Sequence, residues 1–169
     1  MHDEDKQTKT SVTYISASAV HSYIFGSVSK HNLRILCDSG AFCSCISLQF
    51  YNKLKNKPPS FPVSVCNLKA ANNVLLDVLG IVDLDLVICG VSIPVQFYVI
   101  RNLSQNCILG GSFFEECKAT INYGNKTLSL YENTITVPLL NDIDLNKTLR
   151  TTTKLRIPPL SGDFFGQTG

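Results

Sequence analysis

The apolar residues of this chain come in short runs separated by turn-forming residues, a rhythm that suits strands better than helices. Val82 to Ile88 reads V-D-L-D-L-V-I, which places Asp83 and Asp85 on a solvated face and the aliphatic residues on a core face. Leu33 to Cys37, Phe42 to Ser47, Val63 to Leu68 and Val95 to Ile100 read as further strands, with Pro94 at a sheet edge or strand start. Ser11 to Phe25, rich in Val, Thr, Tyr, Ile and Ser, predicts one or two strands ended by Gly26, with Ser27 to Asn32 as polar turn material. Cys89-Gly90 turns the chain between two strands, and a Gly124-Asn125 turn joins Ala119–Tyr123 to Thr127–Tyr131 in a closing hairpin.

Two short helices interrupt this series. Ser47 can cap a helix over Leu48–Asn56 that ends before Pro58-Pro59. Ser112 and Glu115 have the spacing of a capping box, predicting a helix to about Cys117. Between Lys69 and Gly80, small residues and two asparagines lie between strand-like flanks; Asn tolerates positive φ, so Asn72-Asn73 predicts the tip of a projecting hairpin. About eight or nine strands and two helices imply an all-β, barrel-like domain over residues 11–132. Residues 1–10 read as a disordered leader, and 133–169 as a linker or the edge of a following domain.

Composition narrows the function classes. The 169 residues suffice for one domain with a real core, and a net charge of +2 without asymmetry gives no reason to expect nucleic acid or a membrane surface as partner. Met1 to Thr10 is too polar for a secretory signal, and no apolar run approaches the roughly 20 residues of a bilayer span. Seven cysteines, an odd number without a C-x-x-C pair, and three histidines far from most of them argue against zinc. The cysteines fall mostly in strand-like runs, as free thiols do in a reducing compartment. A soluble protein without metal or cofactor is expected.

The candidate chemistry lies in Leu33-Arg34-Ile35-Leu36-Cys37-Asp38-Ser39-Gly40-Ala41, where an apolar strand runs into a carboxylate, a hydroxyl and a glycine. A carboxylate at the end of a buried strand is costly unless hydrogen-bonded or paired, which marks Asp38 as a catalytic candidate. D-S-G is also a common turn sequence. Gly110-Gly111-Ser112 lacks the lysine and the glycine spacing of a phosphate loop, and Cys37, on the opposite strand face from Asp38, reads as core.

Three elements in order resemble the retropepsins, the aspartic proteases of retroviruses and LTR retrotransposons. They are Asp38-Ser39-Gly40-Ala41 after its apolar strand, Ala70-Ala71-Asn72-Asn73 before Gly80-Ile81-Val82, and Ile108-Leu109-Gly110 before a short helix. The chain departs from the family pattern in lacking glycine at the hairpin tip and in carrying Ser112 where an Asp is common. The resemblance implies a closed or partly open β-barrel that works as an obligate homodimer. Asp38 would be catalytic, Ser39, Gly40 and Ala41 the active-site loop, Ala70, Ala71, Asn72 and Asn73 the substrate-binding flap, and Ile108, Leu109 and Gly110 a structural brace. It implies hydrolysis of an extended peptide of the chain's own polyprotein, in the cytoplasm or within virus-like particles. Other readings are a weak or inactive dimerisation module that keeps the fold, and a cellular protease of the same type.

Overall fold

The computed structural model describes residues 21–63, 68–70 and 73–141. Its strands are β1 (Ser22–Val28), β2 (His31–Cys37), β3 (Cys45–Ser47), β4 (Val78–Ile88), β5 (Val91–Ile100), β6 (Cys107–Leu109), β7 (Thr120–Asn122), β8 (Thr127–Leu130), β9 (Ile135–Pro138) and β10 (Leu140–Asn141). Helix α1 (Leu48–Lys53) follows β3, and α2 (Gly111–Glu116) follows β6.

Six strands close on themselves in the order β1-β2-β6-β3-β5-β4, with β4 returning to β1 through Ser27↔Val87 and Val28↔Leu86. Closure leaves few open sheet edges. β10 adds beside the start of β1, and β7-β8-β9 form a separate antiparallel sheet.

The alternation in β4 faces as its sequence predicts: Val82, Leu84, Leu86 and Ile88 are buried while Asp83 and Asp85 are exposed. Phe97 of β5, Ile24 of β1, Ile35 of β2, Ile46 of β3 and Leu128 and Leu130 of β8 are fully buried in the same core. Each such side chain contributes about 1.5–3 kcal/mol on burial. Pro94 lies in β5 opposite Asp85; β3 meets β5 only at Tyr98–Ile100, so no ladder bond is needed on that side of the proline.

Several local expectations give way to long-range packing. Gly26 does not end β1 but sits inside it, where a Cβ would come within 2.9 Å of Ile35 Cδ1 and 3.1 Å of the Val87 carbonyl. The glycine is the point at which β1 passes between β2 and β4. The turn predicted over Ser27–Asn32 shrinks to Ser29-Lys30, both at positive φ (48° and 69°), because the strands on either side continue to pair. Cys89-Gly90 makes the same kind of turn between β4 and β5, with φ of 50° and 75°.

Ser47 caps α1 as expected, its Oγ accepting from Phe50 N at 3.0 Å, but the helix ends at Lys53, short of the predicted Asn56. Ser112 is not an N-cap: α2 is capped by Gly110 with no side-chain bond, because the backbone before it is held by other contacts. Of the strand predicted over Val63–Leu68, residues 64–67 lie outside the described ones; pairing occurs just before it, where Phe61 and Ile81 exchange backbone bonds of 2.7 and 2.8 Å. Strand pairing continues past Glu132, with β9 on β8 and β10 on β1, so residues 135–141 pack on the barrel, while the rest of the predicted linker, 142–169, lies outside the described residues.

Candidate active site

Asp38 is positioned by strands that meet far apart in sequence. β2 and β6 run parallel, pairing Leu36 with Ile108 and Cys37 with Leu109, and the Asp38 amide extends the ladder by donating to the Leu109 carbonyl at 3.0 Å. The chain then turns: Ala41 N donates to the Asp38 carbonyl at 3.1 Å, and Gly40 N donates to Asp38 Oδ1 at 3.0 Å. Asp38, Ser39 and Gly40 are exposed at the tip of this turn. The buried setting read from the apolar approach is therefore not found within one chain; the strand is buried, and the carboxylate emerges at its end.

Gly40 does not adopt a positive φ. Its lack of a side chain serves proximity instead, since a Cβ there would lie 3.2 Å from Asp38 Oδ1.

The brace residues lie directly against the turn. Gly111 N donates to the Ala41 carbonyl at 2.6 Å, Ser112 N to the Phe42 carbonyl at 3.0 Å, and Gly110 N to Ser44 Oγ at 3.2 Å. A Cβ on Gly110 would overlap the Cys43 carbonyl oxygen and approach that of Ala41 to 2.9 Å, so only glycine fits. These backbone bonds hold the loop from behind while leaving its carboxylate outward, the kind of rigid support a reactive group requires.

The hairpin predicted around Asn72-Asn73 is present. Leu76 N donates to the Leu68 carbonyl at 2.8 Å, Ala70 N to the Val74 carbonyl at 2.9 Å and Asn73 N to the Ala70 carbonyl at 2.9 Å. Asn73 takes φ 66°, the left-handed conformation Asn tolerates. Ala71 and Asn72 lie outside the described residues. The hairpin exposes Val74 and Leu75 and anchors its base, Leu68, Leu76 and Val78, in an apolar cluster with Cys43, Cys45, Ile100 and Ile108. At its foot Arg101 Nε meets Asp77 Oδ2 at 2.8 Å, Arg101 N donates to the Asp77 carbonyl, and Asp77 N donates to Asn102 Oδ1. The structure thus ties Asp38–Ala41 to Ile108–Gly110 by direct hydrogen bonds, and ties Ile108 to the hairpin base by packing.

This closed six-strand barrel with two short helices matches solved structures. The retroviral protease-like domain of Ddi1 from Leishmania major superposes with a TM-score of 0.57 at 18% identity, covering 75% of this chain and 96% of that one. The fold is retropepsin-like. The EIAV protease complexed with the inhibitor HBY-793 matches with a TM-score of 0.50 at 17% identity, over 59% of this chain and 90% of that one. No protein-family profile and no curated protein matches the sequence.

Within the retropepsin-like frame, sequence reasoning missed Ser44. Its side chain is buried, its Oγ accepts from Gly110 N and its carbonyl accepts from Tyr98 N at 2.9 Å, so it joins the loop, the brace and β5. A lone serine in an extended run carries no signal of that role. Cys37, read as core, is buried, and burial pushes its thiol up to about 12. Burial likewise raises the Cys107 thiol, so neither is a nucleophile near neutral pH. Among the described residues no three His, Cys, Asp or Glu side chains gather as a metal site would require, and no helix is long and apolar enough to cross a membrane.

Proposed function

We propose that this chain is an aspartic endopeptidase that works as a homodimer, with Asp38 of each copy meeting at a two-fold axis. The observation that carries this reading is the exposed Asp38 carboxylate at the tip of a turn braced from behind by Leu109, Gly110 and Gly111. A single copy of the sequence holds one D-S-G and therefore half of a dyad. An isologous dimer supplies the second half from the same residue.

Two carboxylates held close cannot both ionise, so they share a proton. The ionised member removes a proton from a water that attacks the scissile carbonyl; the protonated member polarises that carbonyl and afterwards helps protonate the leaving amine. The pair titrates as a unit. Ser39 hydroxyls, able to donate and accept, cross-link the two loops below the carboxylates. The hairpin carrying Ala70 to Asn73 closes over a peptide bound in extended form and excludes water. The substrate is the polyprotein of a retroelement that carries the chain, and the site of action the cytoplasm or a virus-like particle.

The intact Asp38-Ser39-Gly40 favours an enzyme over an inactive dimerisation module. The test is a peptide panel at mildly acid pH, run beside Asp38→Asn. The wild-type chain should cut and the variant should not; equal inertness of both, or equal cutting, sinks the proposal. Sedimentation across concentration should show a dimer, and a strict monomer that cleaves peptide would overturn the shared-dyad argument.

A further inference from the structure

Cys43 and Cys45 flank Ser44 where the chain leaves the Asp38 turn and enters β3 at Cys45, and their side chains come together. Their sulfurs are 3.8 Å apart, and Cys45 Sγ lies 3.7 Å from the Cys43 carbonyl. Both belong to the apolar cluster in which the base of the flap hairpin is anchored. Cys43 also borders a surface pocket of about 150 Å³ shared with Phe42, Ser44, Gln96 and Ser112, which gives a small polar oxidant a route to it. Its hydrogen bond with Cys45 draws the Cys43 thiol below its ordinary value, while burial drives Cys37 and Cys107 the other way.

We propose that Cys43 and Cys45 form a redox-active dithiol, oxidised by hydrogen peroxide to a disulfide beneath the flap hairpin, and that this disulfide switches the site off. The Cys43 thiolate attacks one peroxide oxygen and the O–O bond breaks, leaving Cys43 as a sulfenic acid and a hydroxide that takes up the thiol's proton to become water. The Cys45 thiolate then attacks the Cys43 sulfur; the S–O bond breaks, and the departing hydroxide takes up the second proton as a second water. Two thiols lose two electrons and one peroxide gains them. A thiol reductant reverses the step.

The sulfurs must close from 3.8 Å to the ~2.05 Å of a disulfide, which displaces the backbone between them. That backbone has no slack. The Cys43 carbonyl abuts Gly110, Ser44 binds Gly110 N and Tyr98 N, and Cys45 begins the pairing of β3 with both β5 and β6. Movement there reaches both the support of Asp38 and the anchor of the flap.

The effect on peptide cleavage rests on the proposed function, whereas the disulfide is read independently of it. The reduced full chain is treated with rising peroxide, denatured, alkylated, digested with trypsin and mapped by mass spectrometry. The expected product is the Ile35–Lys53 peptide with Cys37 alkylated and Cys43 joined to Cys45, lighter by two hydrogens than the free dithiol and restored by dithiothreitol. Cys43 and Cys45 still alkylated when the exposed Cys89 is already oxidised would overturn the proposal, as would a bond from either to Cys37. In Cys45→Ser, Cys43 should stop at the sulfenic acid and be trapped by dimedone; no adduct overturns the assigned order of attack. The joined form should cleave peptide slower by about tenfold or more, the scale set by small misplacements at a reactive site. A joined form as fast as the reduced one overturns the switch. If the reduced chain is itself inert, the protease reading fails and the disulfide map alone decides whether the dithiol exists.

Discussion

The Asp38 amide donates to the Leu109 carbonyl at 3.0 Å, carrying the parallel β2–β6 ladder one step past Cys37. This bond sets where the strand stops and the turn begins. It makes the position of the candidate catalytic carboxylate a property of the barrel, because residues 71 positions apart must pair before the turn is placed.

Two glycines at this junction should separate stability from activity. Gly110→Ala drives a methyl into the Cys43 carbonyl, and overpacking against backbone costs about 1–3 kcal/mol, so its urea midpoint should fall. Gly40→Ala meets only Asp38 Oδ1 at 3.2 Å in an exposed turn. Its unfolding free energy should stay within about 0.5 kcal/mol of the parent while peptide cleavage drops, because the methyl crowds the carboxylate. Equal midpoints for the two variants would contradict the packing described for Gly110.

Ser47→Ala removes the oxygen that accepts from Phe50 N and should destabilise the chain by about 1 kcal/mol. Ser47→Asp, which keeps an N-cap acceptor, should recover part of that loss in the same denaturation assay.

Alkaline pH should weaken the fold. Cys37 is held at about 12 by burial against an ordinary value of 9.0, so above pH 9.0 the unfolded chain releases a proton that the folded chain retains. The stability this group contributes is fully present below its unfolded value and is lost as pH rises toward its folded one. Cys107, raised by the same cause, adds to the slope. Denaturation midpoints measured from about pH 8 to about pH 11 should fall, and Cys37→Val should flatten the fall.

The Arg101–Asp77 pair is more than half exposed on both sides. Arg101→Ala should therefore change stability by less than about 1 kcal/mol. A larger loss in the denaturation midpoint would show that the foot of the hairpin depends on this contact more than its exposure allows.

Local physics made much of the chain legible. The alternation from Val82 to Ile88, the cap at Ser47 and the left-handed Asn73 each depend on neighbours within a few residues, and all are seen in the fold. The approach to Asp38 and the small-residue hairpin are local patterns too, which is why three short elements sufficed to indicate a retropepsin-like barrel. Closure was different. Gly26 reads as a breaker until β2 and β4 flank it, and Ser112 reads as a cap until Gly110 is pressed against Cys43. Residues 135–141 read as a linker until β9 finds β8 and β10 finds β1. Even Asp38, whose apolar approach suggested burial, stands exposed at the end of its strand. The alternation of β4, the Ser47 cap, the left-handed Asn73 and the choice of Asp38 as the candidate carboxylate could be read from the chain alone, because these follow from neighbouring side chains and backbone preference. Which distant backbones touch was set by long-range packing, since a close approach such as that of Gly110 to Cys43 leaves no periodicity to read.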